Sequence, residues 1–204
     1  MSEVNMWEIE QSYFERGFKF ICGVDEAGRG PLAGPVCAAA VILPANIDIP
    51  GLNDSKKLSD KRRRELFPVI QEQALAYAIA FASHTEIDDI NILQATYLAM
   101  ERSINQLDIR PEIALIDGNR AKDFGIPVET VVQGDSRSAS IAAASILAKV
   151  TRDDVMLKMA EEYPQYGFEI HKGYGTKAHY AALEKHGDCP IHRKTFLKKF
   201  YGEK

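Results

Sequence analysis

An adjacent pair of acidic residues, Asp25 and Glu26, closes an apolar run and is followed at once by a glycine-rich stretch. Neighbouring side chains of a regular strand point to opposite faces, so the pair can share one site only where a strand ends or twists. The glycines of Gly28-Arg29-Gly30 then allow the backbone to approach a bulky ligand and to expose its N–H groups. Together these residue types predict a cation site next to a phosphate or a sugar.

Two more acidic residues lie where other predicted strands end. Asp117 follows the apolar run 113–116, and Asp135 comes shortly after the run 128–132. Because strand ends of one sheet bring distant residues together, the four carboxylates are expected to converge and to need a cation. Oxygen ligands of this kind select Mg²⁺ or Mn²⁺ over zinc, and the expected chemistry is phosphoryl transfer with two metal ions about 4 Å apart. Taken singly, Asp117 also fits an Asp-Gly turn, and Asp135 also fits a helix cap.

The elements that must position these residues alternate between strands and helices. Apolar runs and turn signals predict strands at 18–24, 35–43, 76–82, 113–116 and 128–132, and helices at 60–74, 87–106 with a break near Asn91, 138 to about 163, 176–186 and 192–200. The helix from 138 begins with small residues, so a sheet or a second helix can pack very close to it. The order predicts one α/β domain over 1–204, with a central mixed sheet flanked by helices at about 17–165 and a small helical, basic C-terminal segment at about 166–204. Residues 1–16 support no prediction.

Composition and charge limit the class of protein. No apolar run is long enough to span a bilayer and the polar N-terminus lacks a signal-peptide pattern, so no membrane partner is expected. Three cysteines, two of them in apolar runs, fit a reducing cytoplasm. The net charge is −4, yet residues 171–204 carry eight Lys/Arg against three Asp/Glu, a net +5 that leaves −9 for the rest. This basic tail is either a phosphate-binding surface or a solvated helix.

The chain resembles the ribonuclease HII family, the type 2 ribonucleases H. Seven segments carry the resemblance in family order, among them Gly-Val-Asp-Glu-Ala-Gly-Arg-Gly-Pro, Ile-Asp-Gly, Gly-Asp-Ser-Arg-Ser and His-Lys-Gly-Tyr-Gly; they are 23–36, 53–59, 116–118, 134–138, 142–153, 171–179 and 190–193. The resemblance implies a monomer with a ribonuclease H-like fold that cuts RNA in RNA–DNA hybrids and on the 5′ side of ribonucleotides in duplex DNA. It also implies the roles of particular residues: two Mn²⁺ or Mg²⁺ ions on Asp25, Glu26, Asp117 and Asp135, the 2′-hydroxyl side of the junction on Gly28, Arg29 and Gly30, and the sugar beyond it on Tyr174.

Basic residues are then candidates for phosphate contacts. Lys56 and Lys57 lie in a turn near a helix N-terminus, which favours an anion, although solvated turn lysines have the same pattern. Lys149 and Arg152 are three apart on the long helix and share a face, where they either contact phosphate or pair with the aspartates that follow them. Further candidates are Thr176, Lys177 and Arg193.

Other interpretations compete with the nuclease. A hybrid-binding module without catalysis would be indicated by the loss of one carboxylate, and all four are present. A ribonuclease HIII-type relative would carry an extra N-terminal domain and lack Gly-Arg-Gly, and a small-molecule metallohydrolase would not need Tyr174 or a basic tail. Cys189 and His192 have zinc-like spacing, but one thiol and scattered histidines do not predict a structural zinc site. No clear sliding-clamp motif is present, because the aromatics at 196–201 lack a preceding glutamine at the usual offset.

Overall fold

The computed structural model, which describes residues 5–45, 47–52 and 57–202, contains one mixed sheet of five strands. The strands are β1 (Ile21–Ala27), β2 (Val36–Ile42), β3 (Ala76–Ala82), β4 (Ile113–Asp117) and β5 (Val128–Val131), in the order β3-β2-β1-β4-β5. Pairs β3–β2 and β2–β1 are antiparallel, while β1–β4 and β4–β5 are parallel. The helices are α1 (Glu8–Glu15), α2 (Asp60–Gln73), α3 (His84–Asn105), α4 (Ala139–Glu162), α5 (Phe168–His171), α6 (Lys177–His186) and α7 (Lys194–Leu197). The predicted mixed sheet flanked by helices is confirmed.

Strand β2 is buried along its whole length, because helices cover both faces of the sheet. Its side chains alternate between two apolar clusters: Cys37, Ala39 and Val41 pack with residues of α2 and α4, whereas the residues between them pack with residues of α3. A strand covered on both faces needs apolar side chains at every position. This explains why β2 appears in the sequence as an uninterrupted apolar run.

The small residues at the start of α4 let this helix lie directly against β1. A Cβ placed on Gly23 would overlap the carbonyl carbon of Ser140 and the amide nitrogen of Ile141. The helix begins where the sequence predicts, since the Ser138 hydroxyl accepts a hydrogen bond from the Ile141 amide at 3.2 Å. The expectation that a sheet packs very close to this helix is therefore confirmed, and α4 is fixed against the strand that carries Asp25.

Three elements show where local patterns succeed or fail. The break in α3 is confirmed: Asn91 has a φ of 67°, and its side-chain oxygen accepts from the amides of Leu93 and Gln94. The helix predicted at 192–200 is much shorter than expected: only the single turn α7 forms, and His192 is held in an extended bridge to Ala33. Strand β1 continues through Ala27, beyond its predicted end.

None of the helices in the described ranges is both long and apolar enough to cross a membrane.

Helix α1, which the sequence did not predict, is attached to the start of α4 by a buried glutamate. One carboxylate oxygen of Glu10 accepts from the hydroxyls of Ser138 and Ser140, both at 2.6 Å, and from the Ser140 amide at 3.0 Å. The Tyr13 hydroxyl also donates to Glu129 on β5. Ser138 is separated by one residue, Arg137, from the 3₁₀ turn Gly134–Ser136, which contains Asp135. Helix α1 therefore helps to fix the segment that carries one of the predicted metal ligands.

We expect Glu10→Ala to lower the free energy of unfolding by about 1–3 kcal/mol, because it leaves buried serine hydroxyls and an amide without their acceptor. Urea unfolding at neutral pH measures the change. Glu8→Ala is the matched control, since Glu8 is exposed on the same helix. Equal stability of the two variants would contradict the anchoring role of Glu10.

Candidate active site

A cleft of about 270 Å³ opens at the carboxyl ends of β1 and β4, which lie together because these strands are parallel. The residues that line it come from both strands, the glycine-rich loop, α2, α4 and the segment before α6; they are Asp25, Glu26, Ala27, Gly28, Arg29, Gly30, Arg63, Asp117, Ser145, Lys149 and Tyr174. The structure thus brings three of the four predicted carboxylates into one cleft with the predicted loop, Lys149 and Tyr174.

Asp25 lies on the face of β1 that is turned towards α4. Its side chain is only 4% exposed, it is hydrogen-bonded with Ser145, and one carboxylate oxygen accepts from the Glu26 amide at 2.7 Å. Burial, followed by repulsion from Glu26 and then from Asp117, raises the pKa of Asp25 well above its usual range. A buried carboxylate with two acidic neighbours is an electrostatic arrangement that a cation would relieve.

Glu26 reaches the same cleft from the other face of the strand. It also lines a second cleft of about 320 Å³ together with Asp117 and residues of α3, and its carboxylate pairs with Arg29 at 3.2 Å. The alternation of side chains therefore holds along β1, and the two acids meet at one site because the strand ends one residue later. Asp117, the last residue of β4, accepts from the Gly134 amide at 2.7 Å.

Asp135 is placed differently from the other three carboxylates. It is buried in the turn Gly134–Ser136, which the Gly134–Asp117 bond holds next to β4, and it is not among the residues that line the cleft. Across the described ranges, no three His, Cys, Asp or Glu side chains are grouped closely enough to hold a metal ion. The acidic side chains that line the cleft nevertheless offer carboxylate oxygens, which are ligands that Mg²⁺ and Mn²⁺ prefer.

The predicted phosphate contacts are placed in several different environments. Lys149 lines the cleft and pairs with Asp153 at 2.8 Å, and its phosphate contact stays a prediction. Arg152 is 1% exposed and donates to the carbonyls of Ala33, Pro35 and Lys172, which does not fit a phosphate contact. In the sequence, the burial of this turn of α4 is indicated by the apolar residues around Arg152 and not by the arginine itself.

The remaining candidates that the structure describes are not among the residues that line the cleft. Lys57 is exposed and lines a different depression beside Arg137, and Lys56 lies outside the described residues. Thr176 caps α6 by accepting from the His179 amide, and Arg193 is fully buried.

Two polar side chains that line the cleft were not predicted from the sequence. Ser145 contacts Asp25 and lies one helical turn before Lys149, a spacing that places both on one face of α4. Arg63 comes from the arginine run at the start of α2. The i, i+4 relation to Lys149 was a usable signal for Ser145, whereas three consecutive arginines gave no means of choosing one.

Three buried histidines lie beneath the segment that carries Tyr174, and their bonds assign their tautomers. The Cys189 amide donates to Nδ1 of His192, so the proton of His192 is on Nε2, which lies 2.9 Å from Nε2 of His179. His179 must then carry its proton on Nδ1, which donates to the Tyr174 carbonyl at 2.9 Å. His171 accepts at Nδ1 from Gly173 and stacks on His179. This chain of hydrogen bonds helps to hold the backbone of Tyr174.

We expect the protein to lose stability as the pH falls from about 6.5 to about 4. Burial is the main cause that lowers the pKa of His179 to about 4, and burial also lowers that of His192. The unfolded chain therefore takes up protons in this window before the folded protein does, and acid favours unfolding. Urea unfolding at a series of pH values measures the slope. His179→Gln should flatten the slope and His186→Gln, at an exposed position, should not; an unchanged slope in the first variant would contradict the assignment.

The sequence is similar to known proteins over most of its length. The family model of ribonuclease HII matches residues 22–199. Ribonuclease HII of Endomicrobium trichonymphae is 57% identical over 194 residues, covering 94% of this chain and 92% of that protein. Ribonuclease HII of Dechloromonas aromatica (strain RCB) is 60% identical over 176 residues, covering 86% and 90%. The crystal structure of the ribonuclease H2 from Pyrococcus horikoshii OT3 is similar with a TM-score of 0.73 and 25% identity, and the match covers 91% of this chain and 100% of that one.

Proposed function

The chain belongs to the ribonuclease HII family and is a ribonuclease H enzyme, and on that premise we propose that it hydrolyses the RNA strand of RNA–DNA hybrids and cuts on the 5′ side of ribonucleotides embedded in duplex DNA. The products are 3′-hydroxyl and 5′-phosphate ends. The observation that carries the proposal is the shared cleft, in which three carboxylates lie beside the Gly28–Gly30 loop and Tyr174. We assign the activity to ribonucleotide excision and RNA primer removal in the cytoplasm.

The carboxylates supply the kind of oxygen ligand that divalent cations prefer. Asp25, Glu26, Asp117 and Asp135 would hold two Mn²⁺ or Mg²⁺ ions, and bound ions of this kind activate water and stabilise a leaving oxygen. The raised pKa of Asp25 supports this assignment, because its causes are burial and the two neighbouring acids. The clefts contain no Ser-His-Asp or Cys-His arrangement among their described lining residues, so the proposal needs no protein nucleophile.

The groups beside the carboxylates supply binding and orientation. The Gly28–Gly30 backbone reads the 2′-hydroxyl, which is the group that distinguishes RNA from DNA at a single position. Tyr174 is 44% exposed at the edge of the cleft and offers its ring to a sugar. Lys149 attracts phosphate from the α4 side, and its ion pair with Asp153 holds the lysine side chain in place. The strand end, the loop and α4 thus surround one position on a nucleic-acid strand.

Cleavage of an end-labelled DNA duplex with one ribonucleotide tests the proposal, with Mg²⁺, with Mn²⁺ and with chelator. We expect one metal-dependent cut immediately 5′ of the ribonucleotide and none in an all-DNA duplex of the same sequence. Cutting only within a long RNA–DNA hybrid would keep the nuclease and reject the specificity for single ribonucleotides. Binding of both substrates without any cut would favour the hybrid-binding module.

A further inference from the structure

Arg193 is a fully buried cation that the cleavage chemistry does not use. Its side chain is 0% exposed and donates to three backbone carbonyls: Gly28 at 2.6 Å, Arg29 at 2.9 Å and Gly34 at 3.0 Å. The nearby carboxylate of Asp88 accepts instead from the amides of Lys194 and Thr195. Burying a guanidinium on neutral acceptors is costly, so the contact must fix something that the fold or the site requires.

The charge of Arg193 persists in this position. Burial, followed by repulsion from Arg152, lowers the pKa of Arg193 to about 9, which still leaves the guanidinium protonated at neutral pH. A planar guanidinium presents several N–H donors in a fixed fork, which suits three carbonyls held at different angles. The guanidinium of Arg193 therefore holds the backbone of the glycine-rich loop through its carbonyl oxygens.

The planarity of the peptide bond transmits this contact to the cleft. In a trans peptide the carbonyl of one residue and the amide N–H of the next point in opposite directions, and the described part of the chain has no cis peptide. When the Gly28 and Arg29 carbonyls point at Arg193, the amides of Arg29 and Gly30 must point away from it. Both residues line the cleft beside the carboxylates.

We propose that Arg193 is a positioning residue for substrate recognition, holding the Gly28 and Arg29 carbonyls so that the amides of Arg29 and Gly30 face an acceptor oxygen on the ribonucleotide. The inference rests on the proposed function, because it concerns the same cleft. A cation on a peptide carbonyl also polarises the peptide unit, which makes the N–H of that unit a stronger donor. Arg193 thus both orients the amides of Arg29 and Gly30 and makes them stronger hydrogen-bond donors.

The test is discrimination between ribonucleotide and deoxyribonucleotide, measured as binding. Fluorescence anisotropy in chelator compares a duplex that contains one ribonucleotide with an all-DNA duplex of the same sequence. We expect Arg193→Gln to lose the preference by about 10- to 100-fold, the range seen when a group that orients a metal ligand is removed. Arg193→Lys should lose part of it, since one ammonium cannot replace the fork. Affinity for the all-DNA duplex should not change.

Controls separate positioning from loss of stability and from failure of the proposed function. Arg102→Gln removes an arginine that bonds Glu86 and the Phe81 carbonyl, away from the loop, so it should retain the preference. If the native chain shows no preference and no cleavage, the proposed function fails. If the native chain discriminates and a folded Arg193→Gln variant discriminates equally, the inference is overturned.

A measurement on the native chain covers the case in which the variants do not fold. The amide resonances of Arg29 and Gly30 should shift in ¹H–¹⁵N spectra when the ribonucleotide duplex is added, and shift less with the all-DNA duplex. Equal shifts with both duplexes, or none, would overturn the inference without any substitution.

Discussion

Asp25→Asn is expected to reduce cleavage by about a thousand-fold or more while the protein stays folded and still binds duplex. The substitution removes one anionic ligand from a site whose proposed chemistry depends on bound cations, and it changes almost no packing volume. Cleavage of the single-ribonucleotide duplex under single-turnover conditions measures the loss. Near-normal turnover by the variant would reject Asp25 as a metal ligand.

The same substitution should affect stability in a direction that an ordinary buried residue would not. Because the pKa of Asp25 is raised in the folded protein, its ionised form costs stability, and the cost grows as the pH rises through that value. In chelator at pH 7.5, the melting temperature of Asp25→Asn should therefore equal or exceed that of the native chain. Added Mn²⁺ should raise the melting temperature of the native chain more than that of the variant. Asp108→Asn, an exposed acid on the loop before β4, is the control and should behave as the native chain does.

Gly23→Ala is expected to lower the free energy of unfolding by about 3 kcal/mol or more, at the upper end of the cost of overpacking. The added methyl would overlap the backbone of α4 at Ser140 and Ile141, and backbone cannot move aside as a flexible side chain can. Such a loss is a large share of the usual stability of a domain, so low soluble yield should accompany it. Urea unfolding of the purified variant gives the value.

A neighbouring substitution on the other face of the strand makes the contrast specific. Cys22→Ala removes one buried sulfur from the cluster facing α3 and should cost about 1 kcal/mol. If the losses in free energy of unfolding caused by Gly23→Ala and Cys22→Ala differed by less than about 1 kcal/mol, the contact between β1 and α4 would not be as tight as the structure has it. Because Ser145 on α4 contacts Asp25, a shift of this helix should also weaken cleavage by any folded Gly23→Ala protein.

Elements with a strong local signal could be predicted from the sequence. Strand β2 follows from an unbroken apolar run, the start of α4 follows from its Ser138 cap, and the break in α3 follows from Asn91. In each case the residues that determine the structure are neighbours in the chain. The convergence of Asp25 and Asp117 could also be predicted, because both acids lie at or near the ends of strands that pair in parallel.

What could not be predicted depends on contacts between distant residues. Helix α1 is polar by pattern, and its role becomes visible only when Glu10 meets Ser138. Arg152 and Arg193 look like surface cations until the carbonyls of a loop more than a hundred residues away surround them. Propensity describes a residue by its neighbours in sequence, so a guanidinium buried on backbone oxygens has no local signature.

The bond from Arg193 to Gly28 has a consequence for how the enzyme is made. The two residues are 165 positions apart, and at about 5–20 residues per second the ribosome needs roughly ten to thirty seconds to pass from one to the other. During that interval the nascent chain already contains Asp25 and Glu26, but the loop beside them has no guanidinium to hold its carbonyls. Proteins in which such long-range contacts dominate also fold more slowly. Under the proposed role of Arg193, the loop can adopt its substrate-recognising form only after residue 193 has been synthesised, long after the acidic residues have emerged.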